Sequence, residues 1–306
     1  TTSASEGASF SVEMRNCVTR MPVPDREKAL FYRTLEQPSP GNTMRFVPKW
    51  RLRKPAEDAK TVYVSEKYGV RSLHIGSDTV QSSMRIARPN DLELSYTRSM
   101  MACLLFQPEP RDVLMVGLGG GSVAKFVRHY IPAARVRVLE IDPQVVAIAR
   151  QCFLVPADDV QFEVIVGDGA EYMARDDIEA DLIMVDGYDA ESHVEALATR
   201  EFYADCRERL NPGGMLVVNL WGGDREFNDV LKRIEEAFPG GTLCLKARKL
   251  GNVIAFGFRD APGPQRWADL RLRAAVLEPR YGGLEFSQFV AGFHDMNRHD
   301  DEQLYP

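Results

Sequence analysis

Acidic residues follow successive apolar segments in the middle of the chain, where their carboxylates could bind one common ligand. Glu140 ends the segment "RVRVLE", Asp168 follows "VQFEVIVG", and Asp186 and Asp189 lie in "VDGYD". Glu140 is suited to accept hydrogen bonds from ribose hydroxyls, and Asp168 from the exocyclic amine of adenine, with Gly169 leaving room for the ring. Any one of these acids could instead be a surface residue or a helix cap. Together they favour a shared site.

A glycine-rich turn precedes these acids in "DVLMVGLGGGSVAKFV", where Gly117, Gly119 and Gly121 separate an apolar segment from a helical pattern. Glycine permits a sharp turn and a close approach to a ligand, and ligands of parallel α/β sheets bind beyond the carboxyl ends of the strands. The turn has neither the strict GxGxxG spacing nor the lysine of a P-loop. We therefore expect a nucleoside without a phosphate cradle, S-adenosylmethionine (AdoMet) or a relative. We interpret Ser122 as a helix cap.

These residues require an α/β scaffold, and the pattern from Asp112 onward predicts one. Near-continuous apolar runs alternate with amphipathic helices, as in a parallel sheet covered on both faces. Two further strands, 242–248 and 251–258, have no helix between them and must pair antiparallel. This order is typical of the seven-stranded, Rossmann-like sheet of class I AdoMet-dependent methyltransferases. The five predicted parallel strands are 112–117, 135–142, 160–168, 181–188 and 214–221.

The rest of the chain divides into three regions. Residues 1–60 are polar and proline-rich and predict an irregular extension. Residues 61–106 predict short strands joined by tight turns and then a linking helix over 91–106, which together form a small β domain. Residues 107–306 predict the nucleoside-binding domain, with a mostly helical, polar tail after 259 that carries no obvious site.

Composition narrows the function classes. The chain has 306 residues, 44% of them hydrophobic and 27% charged, with a net charge of −6. The acidic balance argues against nucleic acid or an anionic membrane as partner and is compatible with a cationic substrate. Five scattered cysteines form no CxxC or Cys/His cluster, so we expect no metal site and buried thiols in a reducing cytoplasm. We predict neither a membrane helix nor a signal peptide.

Over residues 61–258 the chain resembles the spermidine synthase (polyamine aminopropyltransferase) family. The pieces that carry the resemblance are "YGVRSLHIGSDTVQ", "ELSY", "VLMVGLGGGSV", "VLEIDPQVV", "VGDGAEYM", "LIMVDGYD" and "EFYADCRERLNPGGMLVVN". The resemblance implies that Gln81, Glu140, Asp168 and Gly169 hold the thionucleoside. It also implies that Asp186 is the catalytic acid–base residue and that Asp189 is a second acid facing the amine.

The activity implied by the resemblance is transfer of an aminopropyl group from decarboxylated AdoMet to an amine such as putrescine, releasing methylthioadenosine. No prosthetic group is expected, because decarboxylated AdoMet (or AdoMet) is a co-substrate. The amine pKa of about 10 means that the nucleophile arrives protonated, and a carboxylate can attract it and accept its proton. Family members are commonly dimers or tetramers, so the resemblance implies a homo-oligomer.

The chain departs from the family pattern mainly on the amine side. The aspartate of the glycine turn is replaced by Gly120, and the acid that usually follows "SY" is replaced by Arg98. The loss of an acid and the gain of Arg98 would suit a carboxylate, either that of intact AdoMet or that of an anionic acceptor, although Arg98 could equally be a surface residue. An AdoMet-dependent methyltransferase, or a protein that binds AdoMet without turnover, therefore stays open as an alternative. Trp221, at the end of the fifth strand, could line the acceptor pocket or simply pack against the core.

Overall fold

The structure, a computed structural model, describes residues 62–187, 194–249 and 251–306. The predicted extension 1–60 lies outside the described residues. Among the helices of these described ranges, none is both long and apolar enough to cross a lipid bilayer.

A three-stranded antiparallel sheet opens the described chain, as the alternating pattern predicts. Its strands are β1 (Val62–Lys67), β2 (Val70–Ile75) and β3 (Val80–Arg85). Tyr68 and Gly69 connect β1 to β2 with φ angles of 52° and 74°, as expected for a two-residue hairpin turn that matches the strand twist. The buried side chains of Leu73 and Met84 pack against Phe153 in a small apolar cluster. This cluster fixes the small sheet beside the glycine turn.

The main sheet has seven strands in the order β6-β5-β4-β7-β8-β10-β9. The first five are parallel, and β10 pairs antiparallel with both β8 and β9. The predicted fold class is therefore confirmed, including the terminal antiparallel hairpin. The strands are β4 (Asp112–Val116), β5 (Arg135–Glu140), β6 (Phe162–Val166), β7 (Ala180–Val185), β8 (Leu210–Trp221), β9 (Thr242–Lys246) and β10 (Asn252–Phe258).

Helices cover both faces of this sheet and create two hydrophobic cores. Alternate residues of β4 show the division, since Val113 and Met115 join one core while Leu114 and Val116 join the other. The helices are α1 (Ser95–Met100), α2 (Ser122–Tyr130), α3 (Pro143–Cys152), α4 (Gly169–Met173), α5 (Arg200–Arg209), α6 (Phe227–Ala237), α7 (Trp267–Leu277) and α8 (Phe286–Gly292). A short ribbon of β11 (Gln265–Arg266) and β12 (Gln303–Leu304) lies near the C-terminus.

The structure differs from the sequence predictions most clearly in one helix, one strand and the C-terminal tail. The helix predicted over 91–106 is α only from Ser95 to Met100 and then tightens into a fully buried 3₁₀ turn at Met101–Leu105. The fifth strand begins at Leu210, which pairs with Ala180 before a register shift, so it starts earlier than predicted. The C-terminal tail is helical but is not simply polar, because it contributes buried aromatic residues to one core. These are Trp267, Tyr281, Phe286, Phe289 and Phe293.

The chain reverses its direction across the sheet between β4 and β7. The strands after β4 add outward on one side as β5 and β6, and the next strand, β7, returns to pair with the other side of β4. Such a reversal leaves a crevice beyond the carboxyl ends of the two central strands, where ligands of α/β folds bind. The residues that follow β4 and β7 are Gly117 and Asp186, both singled out by the sequence.

Candidate active site

The glycine turn after β4 takes a conformation that only glycine adopts readily. Gly117, Gly119 and Gly121 have φ angles of 98°, 51° and 66°. A Cβ on Gly117 would lie 2.4 Å from the backbone oxygen of Asp186, and one on Gly121 would lie 2.3 Å from Val155 Cγ2. Gly117 therefore allows two strand ends to approach each other, whereas Gly121 allows the turn to pack on the segment after α3.

Glu140 fastens this turn to the end of β5. Its Oε2 accepts a hydrogen bond from the Leu118 N–H at 3.0 Å, and its Oε1 accepts one from the Asp142 N–H at 3.0 Å. Burial raises the pKa of Glu140, and these backbone donors oppose that rise. Because each carboxylate oxygen has two lone pairs, both retain capacity for a hydroxyl donor. The carboxylate is thus held rigidly and can still bind a ligand.

Asp168 begins α4 and acts as its N-cap. Its Oδ1 accepts hydrogen bonds from the N–H groups of Ala170 at 2.7 Å and Glu171 at 3.2 Å. The cap geometry uses one oxygen, which leaves Oδ2 for a ligand. A Cβ on Gly169 would lie 2.5 Å from Val116 Cγ1, so glycine is required there by packing against β4, whatever ligand binds.

Asp186 is surrounded by uncharged donors. The Tyr96 hydroxyl donates to Asp186 Oδ2 at 3.0 Å, and Asn219 Nδ2 donates to Oδ1 at 2.8 Å. Burial raises the pKa of Asp186, and the hydrogen bonds from Asn219 and Tyr96 oppose that rise. Burial and the neighbouring carboxylate in turn raise the pKa of Tyr96 well above its usual value, so the phenol remains a donor. Across the described ranges, no lysine or arginine forms an ion pair with Asp186.

A cleft of about 820 Å³ brings most of the predicted residues together. Its walls include Gln81, Gly117, Gly119, Glu140, Asp168, Gly169 and Asp186. Gly121 does not line this cleft, because it packs beneath Val155. A second cavity of about 420 Å³ adjoins the first and has apolar walls that include Met100, Met115 and Met184. Gln81, Tyr96, Gly117, Gly119 and Asp186 line both cavities.

Some predicted residues lie elsewhere. Asp189 falls outside the described residues, so its predicted role as a second acid stays a prediction. Neither Arg98 nor Trp221 is among the residues that form the described walls of the two cavities. Ser122 does not cap α2, because Gly121 is at the N-cap and no side chain caps it. The Ser122 hydroxyl instead contacts Ser82 Oγ at 3.0 Å and donates to the Ser83 backbone oxygen.

Sequence reasoning missed four residues of this site. Tyr96 and Asn219 occur only inside the pieces "ELSY" and "EFYADCRERLNPGGMLVVN", with no role predicted for either, and Asn252 is not among the predicted site residues. The signal for Asn219 was available, because it is the single polar residue within the apolar run "MLVVNLW". Ile141 also lines the cleft, and its side chain is 67% exposed although it is apolar. An exposed isoleucine beside Glu140 is suited to contact a flat apolar ring.

Comparison with known proteins decides the family. The family profile described as "Spermine/spermidine synthase domain" matches residues 93–244. The polyamine aminopropyltransferase of Chromobacterium violaceum is 42% identical over 248 residues, which cover 81% of this chain and 95% of that protein. The chain belongs to the spermidine synthase (polyamine aminopropyltransferase) family. The resemblance inferred from the sequence motifs is therefore confirmed.

Solved structures share the fold of this aminopropyltransferase family member. A spermidine synthase in complex with the transition-state analogue AdoDATO has a TM-score of 0.63 at 20% identity, over 77% of this chain and 82% of that one. Human methyltransferase-like protein 13 in complex with SAH has a TM-score of 0.55 at 24% identity, over 68% and 96% of the two chains. At these identities the likeness concerns the fold alone.

One departure of this aminopropyltransferase family member has a structural counterpart. At Gly120, a Cβ would lie 2.7 Å from Ser82 Oγ and 3.0 Å from Phe153 Cδ1. The space of a side chain is therefore already occupied by β3 and by Phe153, the residue that follows α3. An acid cannot be restored at Gly120 without moving both neighbours.

Proposed function

We propose that this chain is a transferase that moves an aminopropyl group from decarboxylated AdoMet to a small amine such as putrescine and releases methylthioadenosine. The observation that carries the proposal is the position of Asp186. Its carboxylate lies where the two cavities meet, and within the described ranges the side chains that hydrogen-bond to it are the neutral donors Tyr96 and Asn219.

This environment favours a cationic ligand. A carboxylate removed from water and given no cationic partner by the described chain is attracted to a positive charge that enters the cavity. Both reactants supply one, as an ammonium on the amine and a sulfonium on the donor. The raised pKa of Asp186 also brings this carboxylate closer to the working pH range of a general base. Asp186 thus both attracts the cationic substrate and accepts its proton.

The chemistry then needs one displacement. The ammonium gives a proton to Asp186, and the freed amine nitrogen attacks the carbon next to the sulfonium. A C–N bond forms as the C–S bond breaks, and the electron pair of that bond returns to sulfur, leaving methylthioadenosine as a neutral thioether. No covalent enzyme intermediate is required, so the protein contributes mainly by holding nitrogen, carbon and sulfur in line.

We propose that the thionucleoside lies along the 820 Å³ cleft. Glu140 binds the ribose hydroxyls, Asp168 Oδ2 accepts from the adenine amine, and Gln81, Gly117, Gly119 and Gly169 line the bound nucleoside. By resemblance, we propose that Asp189 is a second acid that faces the amine.

Glu140→Gln should weaken methylthioadenosine binding roughly 10-fold or more, because hydrogen bonds to a charged group are lost. Titration calorimetry measures this, with Glu163→Gln on the exposed face of β6 as the control, and an unchanged affinity would remove Glu140 from the ribose site.

Gly120 supports a second candidate function, transfer of a methyl group from intact AdoMet. The glycine turn provides no carboxylate to hold the amine of an aminopropyl tail, and a side chain at Gly120 would have to displace Ser82 and Phe153. The identity with polyamine aminopropyltransferases makes this the weaker candidate.

The deciding experiment incubates the purified protein with decarboxylated AdoMet and putrescine, and separately with AdoMet and the same amine. Chromatography then separates the two nucleoside products. Methylthioadenosine with a matching amount of spermidine supports aminopropyl transfer, whereas S-adenosylhomocysteine supports methyl transfer. Nucleoside binding without either product would contradict both and favour a protein that has kept only the binding site.

We also propose that the protein works in the cytoplasm as a dimer or tetramer, as the family resemblance implies. Light scattering coupled to gel filtration tests the assembly, and a monomeric mass at assay concentration would contradict it.

A further inference from the structure

Asn219 is a buried polar residue in an otherwise apolar strand. It is 3% exposed and lies between Val218 and Leu220, which are fully buried. An unpaired amide in such a place is strongly unfavourable, so both ends of the Asn219 amide must find partners. Its Nδ2 donates to Asp186 Oδ1 at 2.8 Å, and its Oδ1 accepts from Asn252 Nδ2 at 3.0 Å.

The order of donors in this chain is fixed by chemistry. An ionised carboxylate only accepts hydrogen bonds, so Asn219 must turn its NH₂ group toward Asp186. The Asn219 oxygen then requires a donor, and the NH₂ group of Asn252 supplies it. Asn252 opens β10, and the antiparallel register pairs Ile254 with Asn219, so the two asparagines are diagonal neighbours across the strands. The terminal hairpin thereby reaches the acid through one intermediate side chain.

We propose that Asn252 and Asn219 are positioning residues for Asp186, which hold its carboxylate ionised and aimed at the amine. Without Asn252, the Asn219 amide is free to turn its oxygen toward Asp186, which would replace attraction by repulsion. The catalytic consequence rests on the proposed function, but the effect on the carboxylate does not.

The surroundings of Asp186 allow this effect to be measured by a pH titration. On α1, the titratable contact is Tyr96. The β4 turn offers the backbone at Gly117, and β8 offers Asn219. Among the described residues, no histidine, lysine or arginine hydrogen-bonds to Asp186. Glu140 and Asp168 line the same cleft but are unchanged in the variants below, so a change in the titration of Asp186 reports on the asparagine pair and on Tyr96.

A matched control exists on the same two strands. Asn211, near the start of β8, donates from Nδ2 to Asp181 Oδ1 at 2.8 Å, near the start of β7. This pair has the same chemistry at the opposite edge of the sheet. Asn211→Leu therefore disturbs the pairing of β7 with β8 without touching the candidate site.

The test follows the carboxyl ¹³C signal of Asp186 through a pH titration of the full-length protein, with Asp186→Asn assigning the signal. In Asn219→Leu the midpoint should move to higher pH by about 1 pH unit, because a hydrogen bond to a charged group is lost. Asn252→Leu should move it in the same direction by a smaller amount, while Asn211→Leu should leave it in place. If Asn252→Leu fails to fold, Asn252→Ala removes the same donor without adding a charge and should also raise the midpoint.

Activity separates this inference from the proposed function. In an active enzyme, the acidic limb of the kcat/KM profile should move with the NMR midpoint, and methylthioadenosine affinity should stay within about 2-fold of the unchanged protein. An unmoved midpoint in the Asn252 variants would overturn the positioning role even if aminopropyl transfer is observed. A moved midpoint in a protein without aminopropyl transfer would support the positioning role and overturn the proposed function.

Discussion

Strand β7 carries an aspartate near each of its ends, and an asparagine of β8 donates a hydrogen bond to each. Asp181 lies near the amino end with Asn211, and Asp186 follows the carboxyl end with Asn219. Burial acts to raise the pKa of both acids. At Asp181, however, hydrogen bonds from Asn211 and from the backbone N–H groups of Arg111 and Asp112 outweigh burial and lower the pKa. At Asp186 burial prevails and the pKa is raised.

Burial acts more strongly on Asp186, whereas Asp181 also has backbone donors and the positive charge of Arg111 nearby. The Arg111 and Asp112 N–H groups, at 2.7 and 3.0 Å from Asp181 Oδ2, belong to the segment where β4 begins. Because β4 and β7 begin side by side, these N–H groups donate to the Asp181 carboxylate. The hydrogen-bonding capacity of Asp181 is thus used within the fold. No comparable backbone donors reach Asp186 from the described residues, and its carboxylate keeps capacity for a ligand. The same residue pair is thus structural at one edge and available for chemistry at the other.

The largest expected effect separates the two acids by turnover. Asp186→Asn should lower kcat by roughly 10³-fold, because a general base is removed while its shape is kept. Methylthioadenosine affinity should change little, since the nucleoside residues are untouched. Asp181→Asn should keep most of the activity. Steady-state kinetics with decarboxylated AdoMet and putrescine measures both variants, and equal losses would remove the functional distinction between the edges.

For stability, Asp181 should matter more than Asp186. Asp181→Ala leaves three donors without their acceptor, so the free energy of unfolding should fall by about 2 kcal/mol. Urea denaturation measures the change. The control is Asp177→Ala, whose partner Arg175 forms an exposed ion pair that should contribute little to stability. A loss no larger than that of the control would mean that Asp181 does not stabilise the amino edge.

Gly120 lies at the carboxyl edge of the sheet, yet its substitution should lower the stability of the protein, as that of Asp181 does at the amino edge. Gly120→Ala places a Cβ against Ser82 and Phe153 and should lower the free energy of unfolding by roughly 1–2 kcal/mol. Adding Ser82→Gly should recover part of that loss, whereas Gly167→Ala, where a Cβ would meet nothing within 4 Å, should be nearly neutral. Thermal denaturation measures these three variants and Ser82→Gly alone. Additive effects of the Gly120 and Ser82 changes would show that the predicted clash does not form.

The smallest expected effect concerns the pH dependence of stability. The folded-state pKa of Asp186 is raised, so its ionisation opposes folding, and this penalty grows as the pH rises above the ordinary aspartate value. Asp186→Asn should therefore raise Tm by about 2 °C at pH 8, and the gain should vanish toward pH 4. Scanning calorimetry across this range measures it. For Asp181, whose pKa is lowered, the sign is reversed, and stability is lost as the pH falls through its folded-state value.

Local pattern was sufficient to predict the scaffold and its glycine turn. The apolar runs that became β4 and β5 and the break at Gly117 are contiguous in sequence, and strand ends in a parallel sheet meet at one edge. Glu140, Asp168 and Asp186 could be placed together on that basis alone. The family assignment also followed from short motifs in a particular order.

The partners of those residues could not be predicted in this way. Tyr96 reaches Asp186 from a helix in a distant part of the sequence, and Asn252 reaches Asn219 through an antiparallel register that the sequence does not specify. From the sequence, Gly120 was only the replacement of an aspartate of the family pattern. Its packing against Ser82, which a side chain would disturb, could not be predicted. The helix predicted over 91–106 is confirmed only in part, since its second half is a 3₁₀ turn at Met101–Leu105 that is buried on every side, which amphipathic periodicity does not describe.

Ile141 has a thermodynamic consequence for ligand association. An apolar side chain that stays largely hydrated in the unliganded protein is removed from water when a ring covers it, and such dehydration lowers the heat capacity of the complex. Nucleoside association should therefore become more exothermic on warming, a signature that carboxylate contacts alone would not produce.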